Sequence, residues 1–428
     1  MDFKENLLEF LSEEETTKLL DSLCEKDHHA VLLNTEKMSD EMFLSLYPNV
    51  KKHPYVEHAY LFDKDEYQLG KSLWHELGCF YIQEPSAMMV SALLDIKEND
   101  LILDLCAAPG GKSIGASFKM NQNGLIISND IARNRANLIV QNAERLGLKN
   151  LLICNNDFEK IYDRYLDKFD VIILDAPCSG SGMFRKEDKM IEDWSINKVY
   201  KFAEIQKNLI NNAYKMLKPG GLLSYSTCSY SVEEDEDVIE FLLKNSDAQI
   251  EEIKGVKEAY INPKKPIGIR LMPSLFEGEG QYICQIRKPG QKKETVFEHE
   301  SNYKTTLPEV CGDKSVTKYG TTYFYLNNIV KTIGLNIVRY GVKICEENKG
   351  IIRYDLHFAH SLKNNEYPNI KLNEKEVKDY IEGNVIIKEN PFKGYVLLTY
   401  LEIPVDIAKS DTHQIKNYYP KGLRKKIA

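Results

Sequence analysis

Aspartate and cysteine residues recur at the ends of apolar runs in the middle of this chain, and they are the residues best suited to chemistry. In chain order they are Cys106, Asp130, Asp157, Asp175 and Cys228. Carboxylates accept hydrogen bonds from hydroxyl and amino groups, and a cysteine thiolate is a nucleophile. These residue types indicate a site that binds a polar ligand and can form a covalent bond.

The run Leu101–Leu105 leads into the turn Cys106-Ala-Ala-Pro-Gly-Gly-Lys112. A continuous apolar run is typical of a strand buried on both faces, and Pro-Gly-Gly removes side chains where a ligand can approach the backbone. A helix that begins at Lys112 would direct its first free N–H groups toward that ligand. The segment is therefore predicted to be a cofactor-binding turn.

Two familiar phosphate loops do not fit this turn. A Walker A loop requires a glycine five residues before Gly111, where this chain has Cys106, and the spacing Gly-x-Gly-x-x-Gly is absent. Asp130 follows at about the 20-residue distance at which a carboxylate holds the hydroxyls of a ribose. The pattern predicts an adenosine cofactor without a bound triphosphate.

Strand and helix patterns alternate from Leu101 to Lys288, which indicates a parallel sheet covered by helices on both faces. The predicted strands are Leu101–Leu105, Leu125–Ser128, Leu151–Cys154, Val171–Leu174, Leu222–Ser226 and Tyr282–Ile286. The predicted helices are Ala87–Leu94, Lys112–Lys119, Ala132–Leu146, Tyr200–Leu217 and Val232–Leu243. Ligands of such sheets lie at the carboxyl ends of the strands, so the aspartates and cysteines are expected to converge there.

A chain of 428 residues is longer than a single hydrophobic core usually accommodates, so two or more domains are expected. Residues 1–67 have the pattern of a small α+β cap with strands Ala30–Asn34 and His58–Phe62. After a linker near Gly290, short β-prone runs indicate a separate β-rich unit. They are Asn336–Arg339, Ile351–Tyr354 and Tyr395–Tyr400.

The apolar runs, the cysteines and the acidic run indicate where the protein resides and whether it has disulfides or a metal site. No apolar run is long enough to cross a bilayer and the acidic start lacks a signal-peptide core, so a cytoplasmic protein is expected. Nine cysteines without a Cys-x-x-Cys pair predict reduced thiols rather than disulfides or a zinc site. The acidic run Glu233–Asp237 is predicted to complement a helix dipole, and no metal is expected.

The formal net charge of −8 argues mildly against nucleic-acid binding. Basic residues nevertheless cluster, and a local basic face can bind RNA on an acidic protein, with solvated surface charge as the alternative explanation. The clusters are Lys264, Lys265, Arg270, Arg287, Lys288, Lys292 and Lys293, then Lys416, Lys421, Arg424, Lys425 and Lys426.

Three motifs together resemble those of the S-adenosylmethionine-dependent RNA cytosine-C5 methyltransferases. They are Asp104-Leu-Cys-Ala-Ala-Pro-Gly-Gly-Lys-Ser113, Asp175-Ala-Pro-Cys-Ser-Gly-Ser-Gly182 and Tyr225-Ser-Thr-Cys-Ser229. The likeness is greatest to the bacterial RsmF type, which modifies small-subunit ribosomal RNA, and it extends over nearly the whole chain. Lys416-Asn-Tyr-Tyr-Pro-Lys-Gly-Leu-Arg424 is similar to the closing motif of that type.

The resemblance implies an α/β fold: a class I (Rossmann-like) methyltransferase core with an N-terminal α+β RNA-binding cap and a C-terminal β-rich PUA-like region. On this basis the expected units are a cap and bridge at 1–95, the core at 96–290, a linker and β-rich intermediate region at 291–360, and a PUA-like RNA-binding domain at 361–428.

The resemblance also implies roles for the two cysteines. Carbon 5 of cytosine is a poor nucleophile, so its methylation requires a thiolate that adds at carbon 6. RNA enzymes use the cysteine of the Thr-Cys motif, which is Cys228, while Cys178 assists product release. DNA cytosine methylases use a Pro-Cys cysteine, which would make Cys178 the nucleophile. A small buried hydrophobic residue is the structural alternative for either.

The family's cofactor loop corresponds to Cys106, Ala107, Ala108, Pro109, Gly110, Gly111 and Lys112. The resemblance places Asp175 beside both the cytosine and the cofactor, Asp130 at the ribose and Asp157 at the adenine amino group. A helix N-cap is the alternative for Asp130 and Asp157. S-adenosylmethionine is the implied methyl donor.

Arg185 and Lys186 are predicted to contact RNA phosphate near a base drawn out of its stack, with a solvated loop as the alternative. The chain departs from the family pattern at two positions. Ser274 stands where the family often has histidine, so no role of that histidine carries over. Gln281 stands where a second histidine is frequent, which leaves open whether base packing nearby is altered or unaffected. Tyr282 keeps the aromatic that usually follows.

The expected function is methylation of cytosine carbon 5 in small-subunit (16S) ribosomal RNA through a covalent cysteine–C6 adduct. The alternatives are the same reaction on another RNA such as tRNA, a DNA cytosine methylase, and a non-catalytic ribosome-assembly factor. The expected partner is ribosomal RNA or the small ribosomal subunit, with no membrane association and a monomeric state.

Overall fold

The computed structural model describes residues 2–185, 193–297, 315–363 and 366–427. The helices are α1 Phe3–Leu7, α2 Glu13–Ser22, α3 Asp40–Leu46, α4 Leu73–Glu76, α5 Pro85–Ala92, α6 Gly111–Lys119, α7 Arg133–Leu146, α8 Ile196–Met216, α9 Glu236–Asn245, α10 Leu356–Ser361 and α11 Glu374–Glu382. The strands as far as β12 are β1 His29–Leu33, β2 Lys51–Lys52, β3 Ala59–Phe62, β4 Phe80–Gln83, β5 Leu101–Asp104, β6 Leu125–Asn129, β7 Leu151–Cys154, β8 Phe169–Asp175, β9 Leu217–Thr227, β10 Gln249–Glu251, β11 Ile269–Leu271 and β12 Gln281–Arg287. Those that follow are β13 Ser315–Tyr319, β14 Thr322–Leu326, β15 Ile337–Tyr340, β16 Val342–Asn348, β17 Ile351–Tyr354, β18 Asn369–Lys371, β19 Ile386–Ile387, β20 Lys393–Tyr400, β21 Ile403–Asp411 and β22 Gln414–Lys416.

The central sheet has the strand order β10-β12-β9-β8-β5-β6-β7-β15, and β11 pairs with β12. Strands β5 to β9 are parallel, with Ile102 opposite Ile126 on one side and Val171 on the other. The chain runs outward from β5 through β6 to β7 and then crosses back to β8. The strand order therefore reverses between β5 and β8, the place where open α/β sheets bind ligands.

Helices cover both faces of this sheet because successive side chains of each strand point in opposite directions. Ile102 joins a core with Ile114 of α6 and Ile139 of α7. Leu103, the next residue, joins the core on the other face with Ile210 of α8. Each such side chain contributes roughly 1.5–3 kcal/mol on burial, so the sheet is a rigid support for the loops at its carboxyl edge.

The two ends of the chain pack against each other. The N-terminal sheet has the order β2-β3-β1-β4, and a C-terminal sheet has the order β18-β20-β21-β22-β19. Val31 and Phe80 of the first share one hydrophobic core with Val377 and Val405 of the second region. Among the residues described, no helix combines the length and apolar character that crossing a membrane requires.

Two elements differ from the sequence-based expectations. The run Asn336–Arg339 was expected in a separate β-rich unit, but β15 pairs antiparallel with β7 and becomes an edge of the central sheet. The helix expected from Val232 begins at Glu236, because the acidic residues before it turn inward. The remaining β-rich segment forms its own sheet, in the order β13-β14-β16-β17.

Candidate active site

The cofactor turn lies between β5 and α6, as the sequence predicts. Gly110 precedes the helix with φ +112°, a conformation that favours glycine, and a side chain on Gly111 would come within 2.6 Å of Nε2 of Gln83. Arg135 donates a hydrogen bond to the carbonyl of Ala108 over 3.1 Å and fixes the turn from the next helix. The side-chain-free N-terminus of α6 leaves its N–H groups accessible to an anionic ligand group.

Asp104, the last residue of β5, is a site residue that the motif analysis did not single out. Its side chain is fully buried, and Ser113 donates a hydrogen bond to Oδ2 over 2.6 Å. Its other oxygen accepts no hydrogen bond from the described part of the chain. Burial raises the pKa of Asp104 to about 7, and the Ser113 hydrogen bond opposes that rise. An unsatisfied buried carboxylate oxygen suits a ligand that brings an amino or ammonium group. The sequence feature that could have identified this site residue is a carboxylate within the apolar run Leu101–Leu105.

Asp175 ends β8 and is surrounded by hydrogen-bond donors. The ammonium group of Lys112 lies 2.5 Å from Oδ2, while Ser226 and Gln281 donate to Oδ1 over 2.7 and 2.9 Å. Burial is the largest influence on the pKa of Lys112 and would lower it, but the charge and hydrogen bond of Asp175 together with the charge of Asp104 outweigh burial, and the pKa is raised. Lys112 therefore stays charged and fixes Asp175 in one orientation.

Cys178 and Cys228 face each other at the ends of β8 and β9. Their sulfur atoms lie 2.9 Å apart, and the backbone N–H of Gly182 donates to the carbonyl of Cys228 over 2.6 Å. The hydrogen bond with Cys228, together with burial, raises the pKa of Cys178 well above the ordinary value for a thiol. The Cys178 thiol is therefore harder to deprotonate than an ordinary cysteine.

The acidic run after Cys228 is a structural element of this site. Glu234, Asp235 and Glu236 are fully buried, and the side chain of Asp235 makes no capping hydrogen bond to α9. Asp235 accepts a hydrogen bond from the hydroxyl of Thr227 over 2.6 Å. Glu234 and Asp235 thus have partners in the cysteine loops and in Arg270, while Glu236 and Asp237 lie in the first turn of α9, where the helix-dipole interpretation places acidic residues.

Asp130 and Asp157 lie at the ends of β6 and β7, and both have local contacts. Asp130 is 2% exposed, accepts from the N–H of Ala132 over 2.9 Å and lies 3.4 Å from Arg135. Asp157 accepts from the N–H of Glu159 over 3.2 Å and so caps a short 3₁₀ helix. Asp157 thus fits the capping alternative, whereas Asp130 does not cap α7, whose N-cap is Ala132. Each carboxylate also faces a basic side chain that is largely exposed.

The predicted contact of Arg185 with RNA phosphate does not agree with the structure. Its side chain is 2% exposed, donates to the carbonyl of Ser22 over 2.5 Å and lies 3.4 Å from Glu279. Arg185 ties the N-terminal segment to the core instead. Lys186 and Cys311 lie outside the described residues.

The other cysteines that the structure describes differ in their surroundings. Cys106 follows β5 as predicted, and burial raises its pKa. Cys24 is exposed, and the remaining described thiols are buried. These are Cys79, Cys154, Cys284 and Cys345.

Three family profiles match consecutive parts of the chain. Residues 1–85 match the N-terminal domain of 16S rRNA methyltransferase RsmF, and residues 91–287 match 16S rRNA methyltransferase RsmB/F. Residues 367–425 match the methyltransferase RsmF PUA domain. These matches confirm the predicted family and the PUA-like region.

Curated relatives extend over the whole chain. The ribosomal RNA small subunit methyltransferase F of Vibrio campbellii is 30% identical over 442 residues, which cover 94% of this chain and 92% of the relative. The tRNA (cytosine(49)-C(5))-methyltransferase of Pyrococcus abyssi is 39% identical over 234 residues, which cover 51% of this chain and 74% of that one.

Solved structures share the fold. A methyltransferase homologue from Pyrococcus horikoshii has a TM-score of 0.59 at 29% identity and covers 66% of this chain and 93% of its own. NSun6 from the same organism, solved with the S-adenosylmethionine analogue SFG, has a TM-score of 0.62 at 23% identity and covers 68% and 98%. The class I core is thus confirmed, and the chain belongs to the RsmF family of S-adenosylmethionine-dependent 16S rRNA methyltransferases.

Proposed function

We propose that this protein methylates carbon 5 of cytosine in 16S ribosomal RNA, with Cys228 as nucleophile and Cys178 assisting product release. The observation that carries the proposal is the pair of sulfur atoms 2.9 Å apart at neighbouring strand ends. A single thiolate would suffice for addition, and the second thiol at contact distance suits the elimination that must follow.

The addition step uses Cys228 and Asp175. The Cys228 thiolate forms a bond to carbon 6 of the cytosine, and the electron pair of the C5–C6 double bond moves toward carbon 5 and the ring. Asp175 supplies an acceptor for the exocyclic amino group, and Lys112 supplies positive charge near the ring nitrogen. Lys112 and Asp175 are already paired at 2.5 Å, so the groups that stabilise the developing charge are in position before the thiolate adds.

S-adenosylmethionine supplies an electrophilic methyl group on a sulfonium. The turn from Cys106 to Lys112 would hold it, with Asp130 at the ribose and Asp157 at the adenine amino group. The unsatisfied oxygen of Asp104 fits the ammonium group of the methionine portion.

Release then requires a base for the proton on carbon 5. While Cys228 carries charge, its hydrogen bond and its charge help hold the proton on Cys178. Once Cys228 is bonded to carbon 6 its part of this effect ends, while burial still raises the pKa of Cys178, whose proton passes to water. The Cys178 thiolate takes the proton from carbon 5, the C5–C6 double bond re-forms, and the Cys228 thiolate leaves.

Two substitutions test this assignment. Cys228→Ala should abolish transfer of tritiated methyl groups to RNA, and Cys178→Ala should accumulate a denaturant-resistant covalent RNA adduct. The exposed Cys24→Ala is the matched control and should behave as wild type. An adduct with Cys228→Ala but none with Cys178→Ala would instead support the order of attack in DNA cytosine methylases. A wild-type protein that transfers no methyl group would support a non-catalytic assembly factor.

The RNA class has a second candidate, because the Pyrococcus abyssi relative acts on tRNA by its name. The matches of both terminal regions to RsmF domains favour ribosomal RNA. We assign the units 1–95, 96–290, 291–360 and 361–428 accordingly, and place the protein in the cytoplasm as a monomer. Methylation assays with 16S rRNA, assembled small subunits and tRNA transcripts, followed by bisulfite sequencing, distinguish the substrates.

A further inference from the structure

Glu234 lies six residues after Cys228 and is fully buried beside the two cysteine loops. Its Oε1 accepts a hydrogen bond from the hydroxyl of Ser229 over 2.8 Å. Its Oε2 accepts from the backbone N–H of Ser179 over 2.8 Å and from Nε2 of Gln206 over 2.9 Å. One carboxylate therefore accepts hydrogen bonds from three parts of the chain.

The donors adjoin the two sulfur-bearing residues. Ser179 directly follows Cys178, and Ser229 directly follows Cys228. Gln206 also donates to the carbonyl of Pro177 over 2.8 Å, on the other side of Cys178. The backbone on both sides of Cys178 and the turn after Cys228 are thus held by one hydrogen-bond network centred on Glu234.

Gln206 donates its hydrogen bonds toward the cysteine loops but leaves its own side-chain oxygen unsatisfied. Gln206 is fully buried, and its own Oε1 has no hydrogen-bond partner among the described residues. A buried amide oxygen left unsatisfied is unfavourable, so this orientation persists because the two donated hydrogen bonds stabilise it.

We propose that Glu234 is a positioning residue for the two-cysteine chemistry: its carboxylate holds the loops of Cys178 and Cys228 so that the two sulfur atoms stay in contact. This inference rests on the proposed function, in which Cys178 acts after methyl transfer. Glu234 does not touch the reacting atoms. Glu234 affects the release step because release requires both sulfur atoms to lie beside the same cytosine, Cys228 at carbon 6 and Cys178 at the proton on carbon 5.

A neutral amide is a weaker replacement for this carboxylate. Glutamine offers one acceptor oxygen, so its NH₂ group would either face the N–H of Ser179 or take the place of the oxygen that now accepts a charge-assisted hydrogen bond from the hydroxyl of Ser229. Glu234→Gln should therefore loosen one of the two loops while keeping the size of the side chain. The adjacent Glu233 is the matched control, because its side chain is directed to Asn6 of the N-terminal helix, 3.3 Å away, rather than to the cysteine loops.

The experiment compares full-length wild type, Glu234→Gln and Glu233→Gln in single-turnover assays with 16S rRNA and tritiated S-adenosylmethionine. Formation of the covalent adduct and release of methylated RNA are measured separately, and melting curves monitor folding. We expect Glu234→Gln to slow release about tenfold or more, with adduct accumulating, while formation changes by less than about threefold. Glu233→Gln should match wild type in both rates.

Equal loss of formation and release in a folded Glu234→Gln protein would overturn the proposal, since a general structural defect affects both steps. If Glu234→Gln does not fold, Gln206→Leu is the second variant, because it removes one donor from Glu234 and one from Pro177. It should slow release more than formation, and an unchanged ratio of the two rates would overturn the proposal. Absence of adduct with Cys178→Ala would instead refute the proposed function, so the two failures are distinguishable.

Discussion

The side-chain amide of Gln281 donates a hydrogen bond to Oδ1 of Asp175 over 2.9 Å. Asp175 on β8 lies opposite Ser226 on β9, whose hydroxyl donates to the same oxygen over 2.7 Å. Gln281 begins β12, the next strand in the sheet. Gln281 occupies a position where the family often has histidine, and here an amide that does not titrate fixes the acid at the centre of the site.

Gln281→Leu should lower the methylation rate roughly tenfold, because a hydrogen bond to a charged group contributes about 1.5 kcal/mol or more. Steady-state kinetics with saturating S-adenosylmethionine measure the effect. Gln285→Leu is the control on the same face of the same strand, since that buried amide donates to the carbonyl of Leu93 instead. Comparable rate losses in both variants would show that the loss comes from strand packing rather than from Asp175.

Gly182→Ala should impair catalysis without weakening cofactor binding. A Cβ atom at Gly182 would lie 2.6 Å from the carbonyl oxygen of Cys228, a backbone atom that cannot swing away, so the Cys178 loop must move. We expect a loss of at least about tenfold in kcat and an overpacking cost of about 1–3 kcal/mol in stability. Calorimetric titration with S-adenosylhomocysteine should give an unchanged Kd. Gly422→Ala, in open space, is the control, and a normal kcat for Gly182→Ala would contradict the prediction.

Arg270→Met should destabilise the fold strongly. The guanidinium is buried between Asp235 at 3.0 Å and Glu236, and it lies over the ring of Phe10 at 4.5 Å. Removal leaves two buried carboxylates without their cation, which should lower the free energy of unfolding by about 3–5 kcal/mol. Urea titration measures it.

Arg287→Met is the matched control for this ion pair. Arg287 pairs with Glu251 at 2.6 Å, but both side chains are partly exposed, so the loss should be about 1 kcal/mol or less. Equal losses for the two arginines would contradict the distinction between a buried and a half-exposed pair.

Asp406 should make stability fall as pH rises. Burial raises its pKa to about 7, against the hydrogen bonds from Tyr380 and from the N–H of Ile407. Between about pH 4 and pH 7 the folded state therefore keeps a proton that the unfolded chain has lost, and the stabilisation present at low pH disappears as pH passes the folded pKa. Melting temperatures across this range should show wild type losing stability relative to Asp406→Asn as pH rises, because all other titrating groups are common to the two proteins. Parallel profiles of melting temperature against pH for the two proteins would contradict the predicted contribution of Asp406.

Local pattern was sufficient for most of the central fold. The strands Leu151–Cys154 and Ile351–Tyr354 match the structure at both ends, because short apolar or β-branched runs bounded by turn residues leave little choice of conformation. The start of α9 and the pairing of β15 were not predictable in this way. Glu234 turns inward, and β15 joins β7, because of partners more distant in sequence.

The sequence by itself determined the family, the class of fold and the strand ends at which Asp175 and Cys228 stand, because apolar runs and glycine turns are local signals. Only the tertiary structure decided that the two sulfurs touch, that Arg185 is buried against Glu279 and Ser22, and that Glu234 accepts hydrogen bonds from both cysteine loops. These contacts depend on strand order and register, and on pairing between buried charged groups and residues that are far away in the sequence. Such relationships form only when the sheet assembles.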